Sequence, residues 1–157
     1  MKERNKAVVA SYLILKKEDE ILLMRRMGSG YYDGWYSVPA GHVEVGELPT
    51  EALIRETKEE IGIVLQKGQL RHVHTMYRTK HDETGDRADY FFLATDWSGE
   101  PEICEPNKCD DIKWCTIDTL PENVMHHVKD ALGYIEKGID YSELSLKDIT
   151  KNPTGGF

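Results

Sequence analysis

The chain carries no apolar run approaching the roughly eighteen residues that a membrane-spanning helix requires, so no such helix is expected. Its start, MKERNKAVVASYLILKKEDE, has a short apolar stretch without a small-residue cleavage site of the secretory kind, and reads instead as a strand. Cysteine is scarce: Cys104, Cys109 and Cys115 form an odd set with no paired C-x-x-C spacing. That spacing indicates neither a zinc site nor a disulfide framework, and buried or inert thiols in a reducing cytoplasm are the expectation. Excess positive charge is also absent. A formal charge of −8 argues against a broad footprint for a nucleic-acid polymer or an anionic membrane. An acidic protein can still act on a polyphosphate if cations mediate the contact. There is no internal repeat and no low-complexity tract.

What is present is an ordinary globular composition, 39% hydrophobic and 31% charged over 157 residues, enough for one domain with a real core. We assign residues 1–140 to that domain and 141–157 to a C-terminal tail. AVVASYLILKK (7–17) and ILLMRRM (21–27) read as a strand hairpin across a polar turn. WYSVP (35–39) reads as a short extended piece. LRHVHTMYRTK (70–80) and ADYFFLATDW (88–97) read as a second hairpin across HDETGDR, and DIKWCTI (111–117) as a further strand. Between them a loop at 40–48 leads to a helix from Pro49, which suits a first helical position, to Ile61, with Gly62 suited to the residue just past the end. LPENVMHHVKDALGYIEKG (120–138) reads as a second helix, with Val124, Val128, Leu132 and Ile135 at helical spacing. Strands, helix, strands, helix, joined by hairpins rather than regular βαβ units, suggest α+β or an α/β/α sandwich around a mixed β-sheet.

The first helix poses the functional question. At about 100° per residue, Leu53, Ile54, Thr57 and Ile61 share one face and Glu56, Glu59 and Glu60 another. Like charges three and four apart each cost a few tenths of a kcal/mol, and Arg55 is the only cation on the helix near them. A solvated acidic face would tolerate this. However, Gly41 and Gly46 in the preceding loop allow the backbone to approach a ligand, and carboxylates without cysteine or histidine make a hard oxygen site suited to Mg²⁺ or Mn²⁺.

The segment GHVEVGELPTEALIRETKEEIGI resembles the signature of the Nudix hydrolases, G-x5-E-x7-R-E-U-x-E-E-x-G-U with U a bulky apolar residue. It is met at Gly41, Glu47, Arg55, Glu56, Glu59, Glu60, Gly62 and Ile63, and departs only at Thr57, whose methyl can still pack inward. The resemblance implies a Nudix-type α/β/α sandwich of the MutT-like kind and divalent-metal-dependent hydrolysis of a phosphoanhydride in a nucleoside diphosphate linked to some group X. It implies that Glu59 and Glu60 bind the cations, that Glu56 is a ligand or the base that activates water, that the Gly41 carbonyl reaches a metal, and that Glu47 and Arg55 brace the loop against the helix.

Members of the family often add a later carboxylate. Glu105, stiffened by Pro106, is our choice over Glu102, Asp110 and Asp111. Arg25 or Arg26 is expected to reach a phosphate, but not both, since adjacent strand residues face opposite sides. We take Arg25, with His42 beside Gly41 and Trp35 from the Tyr31-Tyr32-Trp35-Tyr36 cluster, as substrate-binding candidates. Trp97 and Trp114 are left to the core, and His126 and His127 are given no role. Tyr77 lies where dinucleoside polyphosphate members carry a tyrosine. The expected substrate is a small-molecule nucleotide. No proline falls between Thr50 and Glu100, so the proline typical of ADP-ribose hydrolases is missing, as is the SQPWPFP-like signature of NADH-cleaving members. (Deoxy)nucleoside triphosphates rank first, nucleotide sugars or ADP-ribose next, then dinucleoside polyphosphates. A non-catalytic nucleotide-binding module would usually have lost box glutamates. Isopentenyl diphosphate isomerase, on the same fold, needs a cysteine and a second metal site that cannot be placed here. The sequence sets no oligomeric state, and a homodimer stays open.

Overall fold

The computed structural model describes residues 2–79 and 85–145. Its strands are β1 (Ala7–Lys17), β2 (Glu20–Arg26), β3 (Tyr36–Ser37), β4 (Ala40–His42), β5 (Arg71–Arg78), β6 (Asp86–Ala94), β7 (Cys109–Cys115) and β8 (Tyr141–Leu144), and its helices α1 (Pro49–Ile61) and α2 (His126–Glu136). They form one eight-stranded sheet of order β3-β2-β1-β6-β5-β8, with β4 paired to β1 and β7 to β2. The sheet is mixed, because β1 runs parallel to β6 from Ala7 to Leu15 while the β1–β2 and β5–β6 pairs are antiparallel.

The strand period of two explains the layers. In β1, Tyr12 and Ile14 join Leu23, Met76 and Phe91 under Val128 and Leu132 of α2. Leu13 and Leu15 face the other way, with Leu22, Met24 and Phe92, under Leu53 and Ile61 of α1. Each helix covers one face, which is the α/β/α sandwich read from the sequence. On α1 the buried residues are Ala52, Leu53, Thr57 and Ile61. Ile54 is only partly covered, so the dry face is rotated slightly from the wheel reading. Thr57 stays inside at little cost because its hydroxyl donates to the Leu53 carbonyl at 2.8 Å.

Four elements differ from expectation. The loop at 40–48 begins with a short strand, because Ala40–His42 pair antiparallel with Ala10–Tyr12. The strand read at 111–117 is β7, shifted to Cys109–Cys115. The helix read within 120–138 starts only at His126: Tyr36 donates its N–H to Asn123 O and accepts that of Met125, holding Val124 as a bridge to β3. Finally, residues 141–144, assigned to the tail, form β8 parallel to β5. His74 anchors it, with Nδ1 2.8 Å from the Ile139 carbonyl oxygen and Nε2 2.7 Å from Ser142 Oγ. The rest of the tail, 146–157, and the hairpin turn at 80–84 lie outside the described residues. All three cysteines are free; Cys109 and Cys115 are buried as expected, but Cys104 is exposed. Among the described residues no helix is long and apolar enough to cross a membrane.

Candidate active site

Three chain segments meet where the acidic face of α1 turns toward the sheet. Ser11 Oγ donates to the carbonyl of Pro49 at 2.7 Å, fixing the start of α1 to β1. β4 then runs alongside α1, and Gly41 lies against Glu56 so closely that a Cβ there would sit 2.1 Å from Glu56 Cγ. Only glycine fits this approach without displacing the carboxylate. At the far end of the helix, Glu102 N–H donates to Ile61 O and Cys104 N–H to Glu60 O, both at 3.1 Å. These bonds lay the late loop on the helix C-terminus and bring Glu105 into the same cleft as Glu56 and Glu60.

Glu47 and Arg55 brace the loop. Arg55 Nε lies 2.8 Å from Glu47 Oε2 and Nη2 2.9 Å from Glu47 Oε1, a two-point pair of the stronger kind. Arg55 and a Glu44 N–H hold the Glu47 carboxyl down to about 2. The remaining guanidinium nitrogen, Nη1, is 2.9 Å from Glu56 Oε1 and 3.6 Å from Glu59 Oε2. Glu59 is half-exposed and stands outside the lining of the cleft.

Glu60 is the unusual group. Burial, then the charges of Glu56 and Glu105, push its carboxyl up to about 8, with an Ala40 N–H and Arg26 opposing. Its Oε1 is buried and makes no hydrogen bond. A buried carboxylate oxygen without a donor is costly, and the carboxylates of Glu56 and Glu105 line the same space and act on it. Oxygen donors of this kind fit a hard divalent cation. The residues are not gathered into a closed cage: among the described residues no three His, Cys, Asp or Glu side chains already form a metal-holding cluster.

The cleft has a volume of about 650 Å³ and extends from these carboxylates across the sheet toward α2. His42 lines it, while its carbonyl accepts from Arg55 at 3.3 Å. The other substrate candidates are engaged elsewhere or share their task. Arg25 is tied to Asp110 at 2.7 Å and lies over the Tyr36 ring, although it reaches the cleft wall. Its neighbour Arg26 is the one whose charge acts on Glu60. Trp35 is not among the lining residues; it packs edge-on to Tyr32 and against His126 at 5.4 Å, and the member of that aromatic cluster that does line the cleft is Tyr31. Asp111 accepts a hydrogen bond from the hydroxyl of buried Tyr36. Trp97 and Trp114 stack on each other at 6.1 Å beside the α1-side core.

At the α2 end the cleft is lined by residues to which the sequence reading gave no role: Tyr12, Arg78, Asp89 and His127. Their available signal was polarity at inward positions, since Arg78 and Asp89 interrupt the apolar alternation of their strands.

A family model for the NUDIX domain matches residues 5–133. The chain belongs to the Nudix family. This Nudix chain is 31% identical over 98 residues to the 8-oxo-dGTP diphosphatase of Escherichia coli (strain K12), covering 61% of this chain and 71% of that protein. It is 28% identical over 116 residues to the ADP-ribose pyrophosphatase of Methanocaldococcus jannaschii, covering 74% and 66% of the two chains. Among solved structures, the MutT NUDIX hydrolase from Burkholderia pseudomallei superposes with a TM-score of 0.74 at 26% identity, covering 82% of this chain and 97% of that one.

Proposed function

We propose that this Nudix pyrophosphohydrolase cleaves (deoxy)nucleoside triphosphates to the monophosphate and pyrophosphate, using Mg²⁺ or Mn²⁺ held by Glu56, Glu59, Glu60, Glu105 and the carbonyl of Gly41. The observation that carries this reading is Glu60: a buried, unpartnered carboxylate oxygen in a cleft that Glu56 and Glu105, the carboxylates whose charges act on it, also line. A bound divalent ion would neutralise the pyrophosphate and lower the pKa of an attacking water.

The chain's own residues supply the rest. Ala40 N–H holds the Glu60 carboxylate. Glu56, kept against Gly41 and Arg55, is the carboxylate best placed to take a proton from water. Arg55 is itself fixed by Glu47, so Glu56 has a rigid neighbour on one side and open cleft on the other. Arg26 and Lys108 line the cleft and offer positive charge to a polyphosphate. The likeness to the 8-oxo-dGTP diphosphatase supports the triphosphate reading. The likeness to an ADP-ribose pyrophosphatase supports a second, in which the same linkage is cut in a nucleotide sugar or ADP-ribose.

The test is product release across dNTPs, NTPs, oxidised guanine nucleotides, ADP-ribose, nucleotide sugars and dinucleoside polyphosphates with Mg²⁺, with Glu60→Gln as control. We expect pyrophosphate from a triphosphate and its loss in the variant. Preferential cleavage of ADP-ribose would move the assignment to the second reading. Full activity in Glu60→Gln would remove the proposed metal role, and silence with retained nucleotide binding would make the domain a binding module.

A further inference from the structure

The α2-side end of the cleft contains a charged pair that the hydrolytic chemistry does not use. Arg78 Nε donates to Asp89 Oδ2 at 2.7 Å, and Nη2 lies 3.5 Å from Oδ1. Arg78 is 4% exposed and Asp89 fully buried, yet both line the cleft. Arg78 Nη1 is buried without a hydrogen-bond partner. A guanidinium donor held in that state asks for an acceptor that the protein does not provide.

Its position fits one end of a nucleotide. Ala10 pairs with His42 on one side and Asp89 on the other, so Asp89 lies two strands from the residue that follows Gly41. At about 4.8 Å per strand that is roughly 10 Å across the sheet, comparable to the reach from the phosphates of a nucleotide to its base. Val38 and Met125 supply buried apolar walls. Behind the pair, Tyr12 Oη lies 3.2 Å from His127 Nε2 and holds the floor in place.

We propose that Arg78 and Asp89 read the nucleobase, and that the base they select is of the guanine class. This rests on the reading of the chain as a nucleotide hydrolase. Guanine carries the O6 acceptor beside its N1–H and N2–H donors. Arg78 Nη1 donates to O6, and the lone pairs of Asp89 that Arg78 and the Tyr12 hydroxyl leave unused accept from the adjacent N–H groups. Adenine places its N6 amino donor against the Arg78 donor and has no N–H at N1. An anionic group is disfavoured there, because Asp89 already neutralises Arg78 and would repel it.

Binding of nucleoside monophosphates, which keep the base and carry no anhydride to cut, tests the subsite separately from catalysis. By calorimetry on the intact protein, dGMP should bind at least tenfold tighter than dAMP. dIMP, lacking the N2 amine, should fall between them. Asp89→Asn should weaken dGMP until the two lie within about twofold, leaving dAMP unchanged. Equal binding of dGMP and dAMP by the native protein overturns the proposal, as does a folded Asp89→Asn that keeps the preference. If that variant fails to fold, the three ligands on the native protein decide alone. Hydrolysis is scored separately with dGTP and dATP. Cleavage of both with no discrimination in binding sinks the subsite and leaves the hydrolase. Selective binding without cleavage does the reverse.

Discussion

Gly41 shows how much a single missing side chain can decide. Its would-be Cβ meets Cγ, Cδ and Oε1 of Glu56, all within 2.7 Å, and these are atoms of a flexible side chain rather than backbone. Gly41→Ala should therefore fold with a nearly unchanged melting temperature while driving Glu56 off its position. A displacement of about 1 Å at a reacting group costs on the order of 100-fold in rate. We expect that loss in kcat at saturating Mg²⁺, read beside a thermal melt. A large fall in stability with kcat intact would mean that the close approach serves packing alone.

At the scale of elements, the brace between loop and helix is electrostatic and so depends on pH. Glu47 sits well below the usual carboxylate range in the folded chain, held mainly by Arg55. Between about pH 4.5 and 2 the unfolded chain binds more protons at this group than the folded one, so its contribution is present above that window and is lost as pH falls through it. Urea midpoints of the native protein and Glu47→Gln should differ near neutrality and converge toward pH 2. A constant difference would argue against the ion pair as the source. The same helix shows what was legible beforehand. Pro49 at the first position and Gly62 in the left-handed conformation bound α1 where the sequence placed it. The second helix carried the right period but no such start signal, and a bridge to Tyr36, distant in sequence, claimed its first turn. The glutamates of α1 and the loop glycine were legible because their spacing is local. The Arg78–Asp89 pair was not, because it depends on a hairpin register that shifts between His72 and His74. Trp35 misled for a related reason, since aromatic clustering in sequence does not say which ring faces a cleft.

For the whole molecule, the crowding of Glu56, Glu60 and Glu105 is an unfavourable charge arrangement that a divalent cation should relieve. Anything that binds the folded state alone stabilises it by mass action, by about 2.7 kcal/mol at a hundred times its dissociation constant. Mg²⁺ or Mn²⁺ should therefore raise the melting temperature of the native protein well beyond what an equal ionic strength of NaCl achieves. Glu60→Gln should respond much less. Equal shifts in both proteins would place the cation elsewhere. β8 has a different consequence. It occupies the outer side of β5 from Thr75 to Arg78, leaving a strand of only four residues as the rim of the sheet. A chain shortened after Asp140 would keep every carboxylate of the cleft but bare the full ladder of β5, which is a template for pairing between molecules. Such a chain should bind Mg²⁺ normally while forming light-scattering aggregates on mild heating. On this expectation β8 guards the sheet against pairing between molecules rather than serving the chemistry of the cleft.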